Sequence, residues 1–374
     1  MTEIEQNDSL HCIGCGAELQ DKDESKSGFA PTKTLEKAAQ DEAVYCKRCF
    51  RLRHYNEVQD VELTDDDFLN MLHELSQKDA LIVNLVDIFD FNGSIISGIQ
   101  RFAGQNPLMI VGNKVDLLPK SLKHSKMRQW ITEQAHLVGI RPDSVHLISA
   151  LSKEHVMDLM GHIEKARKGK DVYIVGTTNV GKSTLVNQII NLATDESDVV
   201  TTSYFPGTTL GKIEIPLDDE RMLVDTPGVI QPGQLSYYLS AKDIKEITPR
   251  KEIKPKSYQL NENQTLFIAG LARFDYISGN KKQPFVSYFA NDLYIHRTKT
   301  EKADELYSSQ KGELLTPPSK DSRITGMKRY EFVTSAPSDI VFSGLGWISI
   351  DQADTKIAAW APEGVDVLIR KQLI

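Results

Sequence analysis

The chain of 374 residues is long enough for two or three domains, and its 40% hydrophobic and 26% charged content is that of a water-soluble globular protein. No apolar run approaches the roughly 20 residues of a membrane span, and the acidic start Met1-Thr2-Glu3-Ile4-Glu5 lacks a signal peptide's basic head and apolar core, so a cytoplasmic protein is expected. A net charge of −8 argues against a protein that coats DNA or RNA indiscriminately, while leaving room for one localised basic face.

Four cysteines fall in two knuckles, Cys12-Ile13-Gly14-Cys15 and Cys46-Lys47-Arg48-Cys49, with thirty residues between them. Four thiolates can close a tetrahedral zinc site of structural type, with no open position for catalysis. A redox pair or four unrelated thiols are the alternatives; a redox CxxC needs a βαβ setting and only one pair. The interval is longer than a zinc ribbon's, so its middle, Asp21 to Ser27, reads as a loop. His11, His54 and His73 read as surface histidines, since the cysteines already complete a site. The second knuckle runs into Arg51-Leu52-Arg53-His54-Tyr55, which suits either an RNA backbone with base stacking or a solvated turn. Residues 1–56 are therefore assigned to a zinc finger.

Residues 57–67 are acidic and read as a linker, and Asp67 to Leu75 has helical spacing. Ala80 to Asp87 is a near-continuous apolar run of the kind found in a parallel strand covered on both faces. Asp87 and Asp90 behind it form an acidic corner, readable as a functional segment or as a strand-end cap. A second run, Pro107 to Gly112, ends in Asn113-Lys114-Val115-Asp116. The Asp116 carboxylate can accept from guanine N1–H and N2–H₂, a donor pair adenine lacks. Lys114 can lie along the base, and Asn113 can tie this loop to a phosphate loop. A third run, Val145 to Ile148, ends in Ser149-Ala150-Leu151, where a backbone N–H could donate to guanine O6. A helix is predicted over Val156 to Ala166.

Asp171 to Val175 then reads as a strand, followed by Gly176-Thr177-Thr178-Asn179-Val180-Gly181-Lys182-Ser183 and a helix from Thr184. Strand, glycine loop and helix together form an anion cradle: loop N–H groups and the helix N-terminus face the phosphates. Gly176 and Gly181 supply backbone shapes that a Cβ forbids. Val180 and Thr184 complete the cradle, Lys182 can reach the β- and γ-phosphates, and Ser183 can place its hydroxyl on Mg²⁺. Within Thr201 to Leu210, a threonine of Pro206-Gly207-Thr208-Thr209 can join the Mg²⁺ shell and sense the γ-phosphate, Thr209 before Thr208. Met222 to Val224 is a strand carrying Asp225-Thr226-Pro227-Gly228; Asp225 can hold Mg²⁺ through water, and the Gly228 N–H can meet the γ-phosphate. Lys182, Thr209, Asp225 and Gly228 are thus the candidate catalytic set. The GTPase domain is assigned to 57–232.

From 233 onward the character changes. Lys242, Lys245, Arg250, Lys251, Lys254 and Lys256 form a locally basic stretch. Short runs bounded by turn residues follow (Thr265–Leu271, Phe285–Phe289, Leu293–His296, Tyr330–Thr334, Ile340–Phe342, Trp347–Ile350, Thr355–Trp360 and Val365–Ile369). They predict antiparallel β structure, and Ser308 to Ser322 reads as a loop. Residues 233–374 are assigned to a C-terminal nucleic-acid- or protein-binding domain.

The guanine-reading elements NKVD and SAL precede the phosphate loop, PGTT and DTPG, the reverse of the block order in Ras-like GTPases. A parallel sheet fixes which strands are neighbours and not where the chain begins, so the sheet can still close. In this order, with its CxxC…CxxC start, the chain resembles the circularly permuted GTPases of the YqeH family over essentially its whole length. The fold expected is a Cys₄ finger, a permuted α/β P-loop domain with a mostly parallel sheet, and a β-rich C-terminal domain. The resemblance implies a GTP/GDP switch in assembly of the small ribosomal subunit, with ribosomal RNA as partner; a monomer is expected. Where Ras-like proteins place a water-orienting Gln after DxxG, this chain has Val229, which implies slow basal hydrolysis. Asn179 matches the residue that coordinates K⁺ in potassium-dependent relatives, the alternative being that it only caps the loop. An RNA-binding scaffold with a vestigial nucleotide site is the second reading, and an NTPase without an RNA partner the third.

Overall fold

The computed structural model describes residues 10–12, 17–24, 28–38, 44–47, 49–51, 73–195, 207–209, 212–217, 219–319, 324 and 326–374, with the backbone alone at 207–209. The chain forms two compact units. One holds the described residues of 1–87, 94–114 and 131–230, the other those of 88–93, 115–130 and 231–374. Among the described residues no helix is long and apolar enough to cross a membrane.

The first unit is built on a seven-stranded sheet. Its strands are β1 (Ala80–Asp87), β2 (Leu108–Asn113), β3 (Ser144–Leu147), β4 (Asp171–Val175), β5 (Gly207–Thr209), β6 (Lys212–Pro216) and β7 (Met222–Asp225). The spatial order is β3-β2-β1-β4-β7-β6-β5. The pairs from β3 through β7 are parallel, and β5–β6 and β6–β7 are antiparallel. All eight residues of β1 are buried, as a central strand covered on both faces requires. Leu81, Val83 and Leu85 share one core with Val156, Leu159 and Ile163 of helix Lys153–Arg167 and Leu185, Val186 and Ile189 of helix Lys182–Asp195. On the opposite face Gly112 lies against Ile131, where a Cβ would come within 3.0 Å of Ile131 Cδ1.

From β1 the chain steps outward through β2 to β3, then returns to β4 on the other side of β1. The crevice between the C-terminal ends of β1 and β4 is therefore a topological switch point, the place where open α/β sheets bind ligands. The antiparallel end was not anticipated. Thr208 and Thr209, expected in a loop, lie on edge strand β5 opposite Ile213 and Lys212.

In the finger region, helix Thr32–Ala38 follows the segment Asp21 to Ser27 read as a loop, whose described residues 21–24 carry no helix or strand. Leu35 and Ala38 pack with Leu19, Val44 and the cysteines in one small core.

The second unit carries two five-stranded antiparallel sheets over one shared core. Its strands are β8 (Lys256–Asn261), β9 (Gln264–Ile268), β10 (Ala272–Ser278), β11 (Lys282–Phe289), β12 (Ile295–Lys299), β13 (Met327–Val333), β14 (Ser338–Phe342), β15 (Gly346–Ile350), β16 (Lys356–Pro362) and β17 (Val367–Lys371). One sheet runs β12-β9-β10-β16-β13, the other β17-β14-β15-β11-β8. Phe274 and Tyr276 of the first meet Phe285 of the second at ring-centroid distances of 5.1 and 5.0 Å. Helix Ala303–Gln310 runs into the segment expected to be loop. The Ser308 and Ser309 hydroxyls donate back to the carbonyls of Asp304 and Glu305, both at 2.9 Å, so these serines stay helical.

Candidate functional site

At the end of β4 the glycine loop begins, and it is pressed against β1. A Cβ on Gly176 would lie 2.7 Å from the Leu85 carbonyl oxygen, so only glycine lets the loop pass this close. Gly181 has φ +94, and a Cβ there would sit 2.4 Å from Asn113 Nδ2. Lys182 opens the following helix and is 1% exposed, and Val180 is also buried. Ser183 is half-buried, and Asn179 and Thr184 are exposed.

The expected tie between the two loops is present. Asn113 Nδ2 donates to the Val180 carbonyl at 2.8 Å, while Asn113 Oδ1 accepts from the Ala150 N–H at 2.9 Å. One buried amide thus fastens the ends of β2, β3 and β4 together. Its neighbour Lys114 donates through Nζ to Asp87 Oδ2 at 2.7 Å and to the Asn179 carbonyl at 2.5 Å. Asp116 follows in a short 3₁₀ turn, Val115–Leu117, and is exposed.

The Ser149 and Ala150 amides do not point outward as expected of donors to guanine O6. Ala150 N–H is taken by Asn113, and Ser149 N–H donates to His155 Nδ1 at 3.0 Å. His155 is held in turn by its helix start, where its N–H donates to the N-cap hydroxyl of Ser152 at 3.3 Å.

On the other side β7 runs beside β4, so Asp225 pairs with Ile174 and is buried. The chain beyond it folds against the glycine loop. Val229 N–H donates to the Gly176 carbonyl at 3.1 Å, and Thr178 N–H donates to the Val229 carbonyl at 2.8 Å. Gly228 is thereby brought to Thr178; a Cβ there would meet Thr178 Cγ2 at 3.1 Å. The Val229 side chain is 5% exposed, an apolar group turned into the protein. Thr177 Oγ1 is buried with no hydrogen-bond partner among the described residues. The hydroxyls of Thr208 and Thr209 lie outside the described side chains.

The sequence thus located Asn113, Gly176, Gly181, Lys182, Asp225 and Gly228 at strand ends that the sheet gathers at one edge. It left Asp87 undecided, because the Asp87–Lys114 contact joins residues 27 apart and appears only when β1 and β2 are in register. A phosphate chain with a purine at one end suits this arrangement: a glycine loop at a helix start stands beside the NKVD loop, and Asn113 fastens the two together.

Cys12, Cys46 and Cys49 are buried, and their sulfurs lie within 4.8 Å of one another. Sulfurs around a tetrahedral zinc at about 2.3 Å stand about 3.8 Å apart, so the three fit such a site. Cys46 N–H donates to Cys12 Sγ at 3.1 Å, a bond that favours thiolate character. Cys15 lies outside the described residues, as do His54 and most of the Arg-rich exit.

Comparison with known proteins supplies the lineage. A family profile described as "YqeH-like, C-terminal" matches residues 282–373, and one described as "50S ribosome-binding GTPase" matches 171–266. A Bacillus subtilis (strain 168) protein named "Uncharacterized protein YqeH" is 52% identical, across 97% of this chain and 99% of its own. "NO-associated protein 1, chloroplastic/mitochondrial" of Arabidopsis thaliana is 31% identical, across 91% of this chain and 69% of its own. A crystal structure of GNP-bound YlqF from T. maritima is 20% identical and covers 44% of this chain and 58% of its own, at a TM-score of 0.30.

Proposed function

The chain belongs to the YqeH family of GTPases, and from that premise we propose that it is a cytoplasmic, monomeric GTP-hydrolysing switch in assembly of the small ribosomal subunit. The observation that carries the switch chemistry is the Asn113 amide, which joins the guanine-reading loop to the phosphate loop at 2.8 Å. Asp116 would read the base, Lys182 and Gly228 would hold the β- and γ-phosphates, and Thr184 would support the cradle. Ser183, Asp225 and Thr209, with Thr208 as the other choice, are hard oxygen donors suited to Mg²⁺, which would neutralise phosphate charge. Zinc on Cys12, Cys46 and Cys49, with Cys15, would hold the finger together.

With Val229 turned inward, no side chain at that position orients a water, so slow basal turnover is expected. The carbonyl of Asn179 is engaged by Lys114 while the residue is exposed, which leaves its side chain available for K⁺. Turnover should then be about tenfold faster in K⁺ than in Na⁺, or some 1.4 kcal/mol of transition-state stabilisation. Equal rates in the two salts would remove that role.

RNA as partner is supported in the second unit. Lys245, Arg250, Lys251 and Lys254, all exposed, line a cleft of about 890 Å³ with Asn291 and Tyr294. Tyr294 is 45% exposed and can offer a face for stacking. The acids of this rim are Glu246, Glu252 and Asp292, and Glu252 is engaged by Lys120 at 3.8 Å. The test is co-sedimentation with separated ribosomal subunits, loaded with a non-hydrolysable GTP analogue or GDP. Small-subunit binding only with the analogue is the expected result. Equal binding in both states would reduce GTP to a structural ligand. Binding to the large subunit alone, in keeping with the GTPase profile's description, would move the role there; binding to neither would leave a GTPase without this partner.

A further inference from the structure

Asp87 ends β1 opposite Asn113, the last residue of β2. Its carboxylate therefore stands beside the next residue of the guanine loop, and Oδ2 accepts from Lys114 Nζ at 2.7 Å. The same ammonium crosses to the Asn179 carbonyl in the phosphate loop at 2.5 Å, a contact between residues 65 apart. Lys114 has φ 65 and Asn179 has φ 64, so both lie in the left-handed region that non-glycine residues rarely enter. Such positions persist where their surroundings over-determine them, and they gather at ligand sites. Here the two strained residues face each other, and a carboxylate from a third chain segment clamps the bond between them.

Asp87 is itself held. Its N–H donates to Ser94 Oγ at 2.9 Å, and that hydroxyl, fully buried, donates back to the Asp87 carbonyl at 3.3 Å. The ion pair is largely shielded, with side-chain exposures of 23% for Lys114 and 13% for Asp87, so solvent screens it less than an open surface pair.

We propose that Asp87 is a positioning residue of the nucleotide site: its carboxylate locks Lys114 across to Asn179 and so sets the lysine stem where the guanine face rests. This builds on the reading of the pocket as a guanine-nucleotide site. An ammonium has three N–H donors, and two are spent on Asp87 and Asn179. The four-carbon stem is then anchored at both ends before a nucleotide arrives. Without the carboxylate, binding must freeze a lysine side chain, the most rotamer-rich kind, and must hold two strained loops with one contact fewer. A simple strand-end cap would need no lysine partner, and that difference is measurable.

The experiment is a double-mutant cycle on the full chain, reading the dissociation constant of a fluorescent GDP. Asp87→Ala should weaken binding about tenfold, on the scale of the side-chain entropy released. Lys114→Ala should weaken it by at least as much. The double variant should bind almost as Lys114→Ala alone, because Asp87 acts through the lysine. Asp87→Asn, which keeps size and one oxygen acceptor, should lose only about threefold, and that loss too should vanish without Lys114. Losses that multiply in the double variants would overturn the proposal and leave Asp87 as a cap, as would an Asp87→Ala protein that binds like the parent. A parent chain that binds no GDP would overturn the pocket reading and this proposal together.

Discussion

At the scale of single residues, the site depends on groups too close to admit another atom. Gly181 is the sharpest case, with φ +94 and the space of its missing Cβ filled by Asn113 Nδ2 at 2.4 Å. Gly181→Ala must move Asn113, and with it the hydrogen bonds to Val180 and Ala150. Two buried hydrogen bonds at about 1 kcal/mol each, plus backbone strain, predict at least a 30-fold loss of GDP affinity by titration. Near-parental affinity would show that the Asn113 bridge is not needed for binding. Ser149 and Ala150 teach the converse lesson. The motif suggested a backbone amide of Ser149-Ala150-Leu151 for the base, and the structure spends those of Ser149 and Ala150 on His155 and Asn113, the latter 37 residues away in sequence.

At the scale of elements, legibility followed burial. β1, β2, β4 and β7 were visible because a central parallel strand must be apolar along its length, and their C-terminal ends therefore located the loops that matter. β8 was missed because it is an edge strand of the second unit whose alternation is short: only Tyr258 and Leu260 face the core, between exposed Ser257, Gln259 and Asn261. β10 was missed: the run read as Thr265–Leu271 overshoots the end of β9 into the turn, where Ala269 takes φ 49 and Gly270 passes under Leu315 O, and it stops just before β10 begins at Ala272. The Asp87–Lys114–Asn179 contact was illegible for a third reason: it exists only through strand register.

Two phenols, one buried and one half-buried, report on the β-rich unit. Burial pushes Tyr288 on β11 and Tyr307 on helix Ala303–Gln310 up to about 12 from an ordinary 10. The neutral phenol is favoured in the fold, so the unfolded chain loses its protons first. The stability these groups contribute is complete below pH 10 and is lost as pH rises toward 12. Phenolate absorbance should therefore show two tyrosines ionising late, together with cooperative loss of β signal. All twelve tyrosines titrating together near 10 with the fold intact would contradict the burial assigned here.

At the scale of the whole molecule, the chain separates in sequence what it joins in space. The guanine-reading half precedes the phosphate half, and the order β3-β2-β1-β4-β7 brings their strand ends to one edge without regard to where the chain starts. A cysteine cluster and a β-rich unit with a basic cleft flank this order in sequence. A GTP switch of this kind requires the two halves to form one guanine site. The most direct test is nucleotide choice by the parent chain and Asp116→Asn, measured by titration with GDP and XDP. The Asp116 carboxylate can accept from guanine N1–H and N2–H₂, whereas an asparagine amide can donate to the carbonyl that xanthine carries in place of that amine. Two bonds to a charged acceptor, at about 1.5–3 kcal/mol each, predict at least a 100-fold loss of GDP and a gain of XDP. Unchanged GDP affinity in Asp116→Asn would mean that the NKVD loop does not read the base and that the two halves are not one site.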